Sequence, residues 1–215
     1  MATSLSDFLP EVLVEIPEVP DVLAIHHLRN AAISFCEQST YVRSDISFNT
    51  VVDQATYVAG VDFTAPTDHR IVEIYDGRVV DNLNPIKRKT PGQLNTEMGP
   101  DWYTETGTTY YVTRETTESV RLVMIPTAIK AVVIPAAWKP IQTATTVDDA
   151  LYDDWHETIA HGALARIYAI PRKSWSDMNT AMMHANLFGV GIEDAKRRVE
   201  NAYLKPTRTT SYGGI

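Results

Sequence analysis

The residues closest to a catalytic pattern in this sequence are His156, Glu157 and His161, within a segment that reads as one helix. A zinc-peptidase helix needs two histidines four apart, about 40° around the axis, so that both imidazoles face one metal. Here they stand five apart and diverge by roughly 140°. One helix face cannot present both, and they read as polar surface positions, with Asp153 or Asp154 available to join only one of them. His26 and His27 are adjacent on another helix and point different ways, as one surface and one partly buried histidine. Cys36, the single cysteine, has no local signature of an activated thiol and reads as a small buried hydrophobe. There is no nucleophile elbow, no P-loop and no G-x-G-x-x-G. Gly189-Val190-Gly191 lies inside a helical pattern and follows no strand. The one tight basic cluster is Lys87, Arg88 and Lys89. Such a cluster either guards an edge strand against aggregation or meets an acidic surface or DNA phosphates. The sequence therefore reads as non-enzymatic, with no cofactor and no metal.

Composition narrows the classes further. The 215 residues suit one large domain or two small ones, and 44% hydrophobic content supports a real core. Nineteen Lys and Arg against 27 Asp and Glu leave a net charge of -8. That balance argues against a dedicated phosphate-backbone binder, though not against DNA passing nearby. The first basic residue is Arg29, and no apolar run approaches the roughly 20 residues a bilayer needs, so neither a signal peptide nor a membrane span is expected. One cysteine and no disulfide favour assembly in a reducing cytoplasm.

The elements that position these residues begin and end helical. Leu5, Phe8, Val12 and Ile16 predict a short helix, closed by Pro17 and Pro20. A second is expected from about Asp21 to Ser39, with Ile25, Leu28, Ala32 and Phe35 on one face. The last quarter, Asp148 to Tyr203, predicts two long helices separated near Pro171. In the first of these Leu151, Trp155, Ile159, Ala163 and Ile167 recur every fourth residue, and the back half is apolar or small almost all round. In the second, Met178, Ala181, Ala185, Phe188, Ile192, Ala195, Val199 and Ala202 form an a/d seam. Ser174 and Asp177 offer a cap for it, and Gly189 and Gly191 suggest a kink or a close backbone contact. The acids Asp148, Asp149, Asp153 and Asp154 and the bases Lys196, Arg197 and Arg198 read as solvated helix ends.

From Tyr41 the period changes to two for about a hundred residues, predicting an inserted β region. Arg70 to Tyr75, a turn at Asp76-Gly77 and a return over Arg78 to Asp81 predict a tight hairpin. Thr90-Pro91-Gly92 reads as a turn within a long loop from Asn82 to Trp102. Strands are expected at Thr108 to Arg114, Val120 to Ile125 and Lys130 to Ile134. The fold class is then α+β: a four-helix-type bundle with an inserted antiparallel β-sandwich or open-barrel domain. The expected division is residues 1–40 for the N-terminal helices, 41–142 for the β domain, 143–203 for the long C-terminal helices and 204–215 for an extended tail.

With this layout the chain resembles the head-to-tail adaptor proteins of tailed bacteriophages, the neck, gatekeeper or tail tubular protein A-like group. The resemblance rests on Leu5-Ser6-Asp7-Phe8-Leu9-Pro10, Leu28-Arg29-Asn30-Ala31-Ala32 and Phe35-Cys36-Glu37 near the start. Near the end it rests on Ile159 to Ile167, Pro171-Arg172-Lys173-Ser174-Trp175, Phe188 and Ile192-Glu193-Asp194-Ala195. It implies a structural virion protein of the neck, assembled in the host cytoplasm as a ring of twelve copies. That ring would join the portal protein to a tail or nozzle protein and let DNA pass through its channel without specific binding. On this reading Lys205, Arg208, Tyr212 and Ile215 contact the portal, and Lys87, Arg88 and Lys89 face the tail. Leu151, Trp155, Ile159, Ala163, Ile167, Phe188, Ile192 and Val199 serve bundle or subunit packing. The alternative is another oligomeric virion or surface binding module whose β domain recognises a protein or glycan.

Overall fold

A computed structural model describes residues 2–81 and 85–203. The chain opens with a short strand β1 (Ala2–Ser4), a 3-10 turn (Leu5–Phe8) and α1 (Leu9–Leu13), followed by α2 (Asp21–Ser39). The β region then contains β2 (Arg43–Asn49), β3 (Thr56–Val58), β4 (His69–Ile74), β5 (Gly77–Val79), β6 (Pro85–Arg88) and a helix α3 (Pro91–Met98). It continues through β7 (Thr106–Gly107), β8 (Tyr111–Arg114), β9 (Ser119–Val123), β10 (Ile125–Pro126) and β11 (Ala131–Pro140). Strand β12 (Thr146–Asp148) leads into α4 (Asp149–Tyr168) and α5 (Met178–Tyr203).

The class is α+β, but the helical part is not a four-helix bundle. Three long helices, α2, α4 and α5, pack together. The expected first helix is only a 3-10 turn and five α-helical residues, because Pro10 and Pro17 leave little room between them. Its apolar side still closes the core, with Leu5, Phe8, Val12 and Ile16 all buried. Strand β1 pairs antiparallel with β12, Ala2 opposite Asp148, and ties the start of the chain to the entry of α4.

The main sheet is mixed and curls into a half-barrel, with path β2-β11-β5-β6-β8-β9-β3 and β4 also on β11. Strand β6 runs parallel to β8, Lys87 opposite Tyr111, so the sheet is not wholly antiparallel. At the two ends of the path Phe48 of β2 stacks on Tyr57 of β3, with ring centroids 4.3 Å apart. Buried residues from Leu5 to Ala195 form one continuous cluster shared by helices and sheet.

Two local expectations are overturned. Asp76-Gly77 does not reverse the chain: β4 and β5 lie end to end along β11, Ile74 opposite Ala136 and Arg78 opposite Val133. Neither residue has the left-handed φ a tight hairpin turn requires. Glycine is needed at 77 for proximity, since a Cβ there would lie 2.6 Å from the Val133 carbonyl oxygen. The reversal comes later, between β5 and β6, with Gly77 opposite Ile86. In the segment expected to be a long loop, Thr90 starts α3. Its hydroxyl accepts from Gln93 N at 3.3 Å while the Gln93 side chain accepts from Thr90 N at 2.9 Å, a reciprocal cap with Pro91 in the first turn.

Candidate functional site

The residues with chemical potential are scattered. His156 Nδ1 lies 2.8 Å from the Tyr152 carbonyl on its own helix, while His161 faces α5. Among the described residues no group of three or more His, Cys, Asp or Glu is placed to hold a metal ion. Cys36 is fully buried, and burial, with Asp148 and Glu37 nearby, pushes its thiol far up. No described helix is long and apolar enough to cross a membrane.

The helical layer is the best-built surface scaffold. Leu151, Trp155, Ile159, Ala163 and Ile167 of α4 are all buried within this one chain. The apolar circumference of α4 is thus covered by α2, α5 and the N-terminal segment, and no neighbouring subunit is required to explain it. The close contacts are made by small residues: a Cβ on Gly162 would lie 2.8 Å from the Phe188 ring, and one on Gly191 2.5 Å from Thr158 Oγ1. Helix α5 runs through Gly189 and Gly191 as helix. Trp155 packs on Phe35 and Tyr41, both with centroids at 5.4 Å, and the Arg198 guanidinium lies 4.6 Å over its ring. Arg198 also reaches Asp154 at 3.9 Å, so that base and that acid bridge two helices while both stay exposed to solvent.

The inner face of α5 is Ala181, His184, Phe188, Ile192 and Ala195. Met178 and Ala185, expected in the seam, are exposed, and Val199 is half-buried beside an open groove shared with Arg43, Tyr75 and Arg88. The outer face is unexpectedly apolar: Met178 is 62% exposed, Met182 60%, Met183 52%, Leu187 43% and Val190 59%. At about 100° per residue, Met183, Leu187 and Val190 fall on one flank and Met178 and Met182 on the other. Asp177 begins the helix, its carboxylate accepting from Asn179 N at 2.9 Å and from the Thr180 hydroxyl. These bonds hold its carboxyl below the ordinary aspartate range. Ser174 does not share the cap; it donates to Glu18 at 2.6 Å.

His184 was not singled out by sequence, although it sits between Ala181 and Phe188 at the spacing of the buried row. It is 2% exposed, its Nδ1 lies 3.0 Å from His161 Nδ1, and its Nε2 lies 3.0 Å from the Glu15 carboxylate, outside hydrogen-bond alignment. Burial, then the charge of His184, hold His161 below the ordinary histidine value, with Glu15 and Glu157 pulling the other way.

The basic cluster is largely compensated. Arg88 pairs with Glu73, and Lys89 pairs with Glu97 while lying 5.8 Å from the Tyr111 ring centroid. Lys87 is exposed on β6. Lys205, Arg208, Tyr212 and Ile215 lie outside the described residues.

In a comparison with known protein families, the model described as SU10 adaptor protein matches residues 3–210. No curated protein matches the chain.

Proposed function

We propose, from the premise that the chain belongs to the SU10 adaptor protein family and is a phage adaptor structural protein of the virion, that it forms a ring joining the portal to the tail. The ring continues the DNA channel, acts without catalysis and assembles in the host cytoplasm. The observation that carries self-association is the outer face of α5. Five large apolar side chains stand open on two flanks of one helix whose inner face is anchored by Phe188, Ile192 and Ala195. A closed ring uses a different surface toward each neighbour, and two separate flanks on one rigid element suit that requirement. The net charge of -8 fits a conduit that must not retain DNA.

The division into N-terminal helices (1–40), β domain (41–142), C-terminal helices (143–203) and tail (204–215) belongs to this reading. The helices carry the ring, the tail meets the portal and the β domain meets the tail proteins. With Arg88 and Lys89 engaged by Glu73 and Glu97, Lys87 is the member of the basic cluster best placed to meet an acidic partner. Deleting residues 205–215 and measuring co-sedimentation with purified portal rings tests the assignment. The truncated chain keeps its far-ultraviolet circular dichroism and loses portal binding; undiminished co-sedimentation would remove the tail from the portal contact.

A further inference from the structure

We propose that His161 and His184 form an acid-sensitive latch that clamps the first half of α5 against α4, closed by one shared proton and opened by a second. The geometry sets the proton count. Two Nδ1 atoms 3.0 Å apart make a hydrogen bond only when one carries a proton and the other offers its lone pair. Across the second ring, Glu15 stands 3.0 Å from His184 Nε2 and supplies one negative charge. The Tyr168 ring lies parallel to His184, 7° between planes and 5.6 Å between centroids, with its hydroxyl 3.5 Å from the same Glu15 oxygen. Three parts of the chain therefore meet at His184: the segment after α1, helix α4 and helix α5.

A second proton removes the bond. Both Nδ1–H groups would then face each other, and the added positive charge would sit beside a side chain that is 2% exposed. The charged or titratable groups facing the pair are Glu15 from the N-terminal segment, Glu157 and Tyr168 from α4, and Asp177, which acts on Tyr168 from the start of α5. The acids favour protonation of His161, yet burial and the neighbouring histidine outweigh them. Since the folded value lies below the free value of 6.5, the open or unfolded chain takes the proton first. The latch is at full strength above that pH and weakens as pH falls through it. Met182, Met183 and Leu187 flank His184 on the same helix, so opening would displace the outer apolar face as well. The latch itself is internal to one chain and holds whether or not that face meets another copy.

The test is 15N nuclear magnetic resonance of histidine-labelled full-length protein from pH 8 to pH 5. It is combined with amide hydrogen exchange of residues 178–192, corrected for intrinsic rates, in wild type and His161→Gln. The expected result at pH 7.5 is one protonated and one bare Nδ1 in the pair. Below pH 6.5, protection across 178–192 falls by up to about tenfold per pH unit, that of α2 holds, and His161→Gln removes the pH dependence. Two imidazoles both bare at Nδ1, or protonation of His161 without loss of protection, or an unchanged pH profile in His161→Gln, would overturn the proposal. Should His161→Gln fail to fold, the tautomers and the wild-type exchange profile decide it alone.

Discussion

Replacing Met183 and Leu187 together by glutamate places two carboxylates on one outer flank of α5. Both residues point away from Phe188 and Ile192, and glutamate is as good a helix former as methionine or leucine, so the folded subunit should survive. The contact should not. Full burial of such a side chain is worth about 1.5–3 kcal/mol; with 52% and 43% of these two still open, the unburied part is worth about 1 kcal/mol each. Losing about 2 kcal/mol weakens one subunit contact roughly thirtyfold, and burying an unpartnered carboxylate weakens it further. Sedimentation velocity over a hundredfold range of concentration should show the variant dissociating at least thirtyfold earlier than wild type, with unchanged circular dichroism. Equal assembly of variant and wild type would refute the assignment of this flank to the subunit contact.

Gly77→Ala should lower stability by about 1–3 kcal/mol, the cost of overpacking against a position that cannot yield, because the clash is with the Val133 carbonyl of β11. Equilibrium denaturation measures it, and an alanine that leaves the midpoint unchanged would contradict the close approach of β5 to β11 at Gly77. Trp155→Ala should cost about 3–5 kcal/mol by the same measurement, as the ring joins α2, α4 and Arg198 of α5. Asp177→Ala should lower the melting temperature at neutral pH. In wild type this contribution is present above the free aspartate value of 3.8 and lost as pH falls through the depressed folded value, so the two proteins should converge in acid.

Much of the helical frame was legible because its signals are local. Pro20 and the apolar row of α2 locate that helix from Asp21 to Ser39, and the four-residue row from Leu151 to Ile167 marks the buried face of α4. The seam of α5 was legible only in part. Periodicity groups small and apolar residues together, but it does not say that Ala185 faces water while His184 takes the buried place between Ala181 and Phe188. Only a carboxylate and a second histidine from other elements make that place habitable for an imidazole. The Asp76-Gly77 dipeptide misled because a glycine demanded by close approach looks the same in sequence as one demanded by a turn. Helix α3 did carry a readable signal, Thr90 followed by Pro91 and Gln93, which the turn residues Pro91 and Gly92 masked. The compensation of Arg88 and Lys89 was invisible because Glu73 and Glu97 come from other elements.

The proposed function requires this chain to assemble as a ring on the portal. Light scattering of the purified protein, alone and with purified portal rings, tests it most directly. The expected result is a closed ring close to a twelvefold multiple of the 24.0 kDa chain, formed alone or on addition of portal. A stable monomer indifferent to portal would contradict it and would favour a binding module whose β region recognises a protein or glycan.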